Sequence, residues 1–107
     1  MATRGIITFC DGNECIPVYQ HWDCYPSVIV DQLEAAKEYA WPLPRFEAND
    51  FAAAYVAANK PKGGGDIRIT GGSGYLNTDA YVIRFDKALN EFTLNGTPLS
   101  QLGKGNN

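Results

Sequence analysis

The chain has 107 residues, 45% of them apolar and 20% charged, with a net charge of −3. That size and balance describe one globular domain with an ordinary core and exclude a disordered chain. The nine basic residues (Arg4, Lys37, Arg45, Lys60, Lys62, Arg68, Arg84, Lys87 and Lys104) are scattered, so no stripe forms to grip nucleic acid, which is not an expected partner.

No apolar run reaches the length of a membrane span, and Met1-Ala2-Thr3-Arg4-Gly5 lacks a signal-peptide core. The expected location is cytoplasmic, with no membrane partner. Three cysteines, Cys10, Cys15 and Cys24, are then expected as free thiols; a Cys10–Cys15 disulfide across a turn is the alternative in an oxidising environment.

Gly5 to Phe9 reads as a strand. Asp11-Gly12-Asn13 suits a tight turn, and Cys15 to His21 returns as a second strand. Pro17 removes a ladder donor, so this strand is expected at an edge or bulged. Alternation sends Ile16, Val18 and Gln20 to one face, the core side, and Tyr19 and His21 to the other.

Trp22 to Ser27 leads into a helix running to about Tyr39 or Ala40, with Asp23 or Ser27 as cap. Ile29, Leu33, Ala36 and Ala40 make its apolar stripe. Trp41-Pro42-Leu43-Pro44 stops it. A second helix is expected from Phe51 to about Ala58, capped by Asn49 or Asp50, with Phe51, Ala54, Tyr55 and Ala58 buried.

The remaining elements are short strands. They are Ile67 to Thr70, Ala80 to Asp86 and Phe92 to Leu94, the last followed by an Asn95-Gly96 turn. The glycine stretches Gly63-Gly64-Gly65 and Gly71-Gly72-Ser73-Gly74 lack the Lys-Ser/Thr of a phosphate loop and read as flexible loops, with a lid over a ligand near His21 as the functional alternative. The expected fold is α+β, in the order β-β-α-α-β-β-β. Its sheet has about five strands and is antiparallel, with a mixed sheet as the alternative if the first and third strands pair in parallel; two helices pack on one face. The domain is expected to span residues 1–102, with 103–107 a frayed tail.

Chemistry concentrates in Tyr19, His21, Trp22, Asp23 and Tyr25, where a strand ends just before a helix. Stacking surfaces and free helix N–H groups at such a place suit a flat or anionic ligand. Arg4 and Arg68 are expected to meet its phosphates, with Arg84 as a further cation of this kind. The competing expectation is that His21, Asp23 and Tyr25 only bond one another and cap the helix. Cys10, Cys15, His21 and Cys24 could offer four zinc ligands, but their spacing is not that of a standard finger and no metal is expected. With a single histidine and no clear orienting group for a Cys–His pair, catalysis is not expected, and neither is a cofactor.

The stretch Tyr19-Gln20-His21-Trp22-Asp23-Cys24-Tyr25-Pro26, with Thr3-Arg4 near the start and Trp41-Pro42-Leu43-Pro44-Arg45-Phe46 later, resembles a group of small phage and prophage proteins. Their pattern is a Thr-Arg start followed by Tyr-x-His-x-Asp-Gly-Tyr-Pro. The likeness covers the first half of the chain, and the group carries no settled activity. It implies a mobile-element origin and a role against host defence, in the cytoplasm of a bacterial host. One version is a homodimer holding a nucleotide-like small molecule. The other is an anti-CRISPR-type inhibitor that docks on a bacterial defence protein. Cysteine stands at position 24 where the group has glycine, which bears on any positive φ there.

Overall fold

The computed structural model describes residues 4–62, 67–69 and 79–102. Six strands, β1 (Gly5–Cys10), β2 (Cys15–Gln20), β3 (Ile67–Ile69), β4 (Asp79–Asp86), β5 (Glu91–Leu94) and β6 (Thr97–Pro98), form one sheet in the order β3-β2-β1-β4-β5-β6. The helices are α1 (Pro26–Ala36), α2 (Ala48–Asn59) and a short α3 (Leu99–Leu102), and a 3-10 turn, Lys60–Lys62, follows α2.

The fold is α+β as expected, but the sheet is mixed and has six strands rather than about five. β1 and β4 run parallel, and every other neighbouring pair is antiparallel. The helical pair joins β2 to β3, which lies antiparallel on its outer side; β4 then returns beside β1 on the side that β2 leaves free and points the same way, a pairing that needs a crossover connection rather than a hairpin. The parallel partner of the first strand is thus the fourth, not the third. β6 and α3 follow the Asn95-Gly96 turn and were not expected, because Thr97–Pro98 is too short to show a period.

β2 is not an edge strand. It is flanked by β1 and β3, and Pro17 is accommodated because the described β3 ladder ends at Val18. Alternation sorts the side chains as expected on the helix side, where Ile7, Phe9, Val18 and Ile83 are fully buried. Five phenylalanines occur in the chain, and all of them meet in one cluster. Phe51 and Phe92 stand 4.9 Å apart, Phe85 and Phe92 5.3 Å, Phe9 and Phe51 5.7 Å, and Phe46 and Phe51 5.5 Å. Tilted and edge-on rings at these spacings add to the burial of their area.

α1 ends at Ala36, earlier than expected, and turns occupy 37–39. Its stripe is otherwise as expected, with Ile29, Leu33 and Ala36 fully buried. α2 begins at Ala48 rather than Phe51, because its first turn is closed from outside the helix. Asp11 accepts from Ala48 N at 2.8 Å, and Asn49 Nδ2 donates to Glu14 at 2.7 Å. Asp50, expected as a cap, instead accepts from Trp41 N at 3.0 Å.

Cys10 and Cys15 are joined by a disulfide, so the expectation of three free thiols does not hold; Cys24 alone is free. The two residues face each other at the last rung of the β1–β2 ladder with Cα atoms 4.2 Å apart, the narrow kind of antiparallel pair that brings side chains together. His21 lies beyond the other end of β2. The four sulfur and imidazole groups weighed for zinc therefore do not converge, and no metal-holding group occurs among the described residues. The expected tail, 103–107, and both glycine stretches fall outside the described residues.

Candidate functional site

The ladder registers bring the expected site residues to one end of the sheet, except Arg84, which lies at the opposite end. Gly5 pairs with Gln20, and Tyr19 pairs with Arg68. Arg4 and His21 are each one position beyond the Gly5–Gln20 rung. Alternation puts Tyr19 and Arg68 on the face away from α1 and α2. The connection from His21 to Tyr25 then rounds the sheet's end to reach α1.

Tyr19 is buried, and its hydroxyl lies 2.6 Å from His21 Nδ1. The imidazole is half-buried and meets the Trp22 ring edge-on, with centroids 4.6 Å apart. Tyr19 therefore fixes the histidine, and the histidine supports the tryptophan. Trp22 and Tyr25 remain 46% and 48% exposed, which is high for large aromatic side chains.

The backbone beneath them is held at three successive carbonyls. Gln20 Nε2 donates to Trp22 O at 3.1 Å and to Asp23 O at 3.4 Å; Tyr25 N donates to Asp23 O at 2.9 Å; Tyr81 Oη donates to Cys24 O at 3.2 Å. The positive φ of the turn, 54°, falls on Asp23 and not on residue 24. Aspartate tolerates the left-handed region, while Cys24 is completely buried in the core. Cysteine in place of glycine at this position costs nothing in backbone strain and adds a packed side chain.

Neither Asp23 nor Ser27 caps α1 with its side chain. Tyr25 takes the N-cap position without a side-chain hydrogen bond, and Pro26 opens the helix. Of the contacts in the competing reading, His21 bonds Tyr19, Tyr25 N donates to Asp23 O, and Tyr25 holds the N-cap position of α1.

Gln20 is the residue that sequence reasoning passed over. It is completely buried, and its Oε1 accepts from Tyr55 Oη at 3.0 Å. Tyr55 Oη also lies 2.7 Å from Gln32 Oε1, and Asn59 Nδ2 donates to Gln32 O and Tyr55 O. This network ties the corner to α1 and α2. Burial, with a smaller effect of Cys24, pushes the Tyr55 hydroxyl well above its ordinary range. The available signal was a glutamine on the apolar face of a strand, which requires buried partners.

The corner can offer two aromatic faces on a fixed backbone, with Arg4 and Arg68 at the adjoining sheet end. Comparison of the chain with protein-family models, with curated proteins and with solved structures finds no match. No helix among the described residues is long and apolar enough to cross a membrane.

Proposed function

We propose that this protein is a non-catalytic binding protein of phage or mobile-element origin that counters a bacterial defence system, and that it does so by holding a nucleotide-like small molecule at the Tyr19–Tyr25 corner. One observation carries the binding part of this reading. Trp22 and Tyr25 stay half exposed although three carbonyls beneath them are held by side-chain and backbone donors. Aromatic surface presented on an ordered backbone loses little entropy when a ligand stacks on it. The defence role rests on the resemblance of the Tyr19–Pro26 stretch alone.

Trp22 or Tyr25 stacks the base, and His21, Arg4 and Arg68 meet the phosphates. A nucleophilic role is disfavoured by the burial of Cys24 and by the engagement of His21 Nδ1 with Tyr19. A second copy of the chain closes the open side of the corner, which makes the working form a homodimer.

A second reading is favoured by a separate observation. Tyr39 and Trp41, 65% and 39% exposed, lie past the far end of α1, and Arg45 stacks on Trp41 at 3.6 Å. A partner protein lying along α1 meets both aromatic pairs, whereas a nucleotide meets only the first. Such a partner is a defence effector of the kind an anti-CRISPR inhibitor blocks.

Native mass spectrometry of the protein purified from bacteria separates the two. A nucleotide-sized mass lost on denaturation, and absent from Trp22→Ala/Tyr25→Ala, supports the ligand reading. A bare chain that shows no thermal shift with nucleotides overturns it. A complex captured from a defended host and lost in Tyr39→Ala/Trp41→Ala then establishes docking along α1.

A further inference from the structure

The opposite end of the sheet carries a crevice created by the strand order. β1 and β4 are parallel neighbours at the centre of the sheet. β1 leaves its carboxyl end toward β2 on one side, and β4 leaves toward β5 on the other. Where two parallel strands part in this way, the loops after them diverge and leave a gap between them, which is where open sheets with parallel strands hold ligands.

The gap is present. A hollow of about 270 Å³ lies there, walled by Asp11 and Gly12 after β1, by Arg84 and Lys87 at the end of β4, and by Phe46. A Cβ added at Gly12 would meet nothing within 4 Å, so the hairpin side is open space.

Two cations, Arg84 and Lys87, and two carboxylates, Asp11 and Asp86, lie in and around the hollow, and they are not paired with one another. Arg84 and Lys87 are exposed and form no ion pair among the described residues. The neighbouring carboxylates are turned onto backbone donors instead. Asp11 Oδ1 accepts from Asn13 N and Glu14 N, and its Oδ2 from Ala48 N. Asp86 Oδ1 accepts from Ala88 N and Leu89 N. An arginine fork and a lysine point charge together match the oxygens of a phosphate group.

We propose that this crevice binds a small phosphate-bearing molecule, with Arg84 and Lys87 as its cationic contacts and the Phe46 wall against the rest of the ligand. A hollow of this volume holds a small molecule, and a chain of net charge −3 repels a long polyanion. The site is separate from the Trp22–Tyr25 corner and does not depend on it.

The test is an amide NMR titration of the full chain with inorganic phosphate at low ionic strength, against chloride at matched ionic strength. Saturable shifts at Gly12, Arg84 and Lys87 are expected, weakened at least ~tenfold in Arg84→Ala/Lys87→Ala, where the charge-assisted contacts are gone. Arg84→Gln alone, which removes the charge but keeps a polar, hydrogen-bonding side chain, should weaken them as well. Arg68→Ala should leave them unchanged, which separates this site from the corner. Shifts that do not saturate, that chloride reproduces, or that survive the double substitution overturn the proposal.

Discussion

The carboxylate of Asp11 accepts a hydrogen bond from the backbone N–H of Ala48 at 2.8 Å, so the turn of the first hairpin closes the first turn of α2. The same carboxylate closes its own turn through Asn13 N and Glu14 N. One side chain thus fixes the hairpin and sets where the second helix starts.

Those three backbone donors hold the Asp11 carboxyl below its ordinary value of 3.8, the Ala48 bond being the largest cause. A depressed carboxylate contributes stability that is present above its unfolded value and is lost as pH falls through its folded value. Asp11→Asn should therefore lower the thermal midpoint at neutral pH. Its deficit relative to the unmodified chain should shrink as pH drops below 3.8. Thermal unfolding followed by circular dichroism against pH reads both effects; a deficit independent of pH counts against the capping account.

The Cys10–Cys15 bond closes a short loop, with a sequence separation of 5. On the chain-entropy account a loop of that length is worth about 2 kcal/mol. Reduction with a dithiol should lower the denaturant midpoint accordingly. The Cys10→Ser/Cys15→Ser variant should match the reduced protein and ignore the reductant. Equal midpoints for oxidised and reduced protein would show that the pairing adds nothing to the fold.

Tyr55 sits between Gln20 and Gln32 in a buried network. Tyr55→Phe leaves buried amide groups without their partner and should cost about 1–3 kcal/mol. The raised Tyr55 value also has an alkaline signature. A group whose folded value lies above its ordinary 10.0 contributes stability that is lost as pH rises past that ordinary value. Ultraviolet titration should show a tyrosine that ionises only as the protein unfolds, and Tyr55→Phe should remove one equivalent from that late step. A full complement of tyrosines titrating in the folded chain would sink this account.

Phe92 meets Phe46, Phe51 and Phe85 and is 2% exposed. Truncating it to alanine opens a cavity at the centre of the aromatic cluster and should cost about 3–5 kcal/mol. Leu89→Ala, an exposed position in the turn before β5, should change stability by less than about 0.5 kcal/mol. Comparable losses in the two variants would contradict the placement of the core.

Much of the fold was legible because period and punctuation are local properties. The α1 stripe Ile29-Leu33-Ala36, the α2 stripe Phe51-Ala54-Tyr55-Ala58 and the alternation of Ile83 and Phe85 against Arg84 all follow from spacing. The candidate site was legible as a cluster, since Tyr19 to Tyr25 are neighbours in the chain. Its two outlying arginines were placed near it by register: Arg68 opposite Tyr19, and Arg4 just past the rung that joins Gly5 to Gln20.

The amino-acid sequence by itself determined the apolar faces of the strands and helices, the breaks at Pro42 and Pro44, and the aromatic and polar richness of the Trp22–Tyr25 turn. Each depends on side-chain periodicity or on backbone restrictions within a few residues. The tertiary structure alone decided the rest. It paired β1 with β4 in parallel, set α2 to start at Ala48 by means of Asp11, joined Cys10 to Cys15, and gave the core-side Gln20 the carbonyls of Trp22 and Asp23 as partners. Two of those contacts, β1 with β4 and Asp11 with Ala48, join residues far apart in the chain, and all are chosen by which arrangement buries the apolar faces while leaving every buried polar group a partner, a condition that no local window contains.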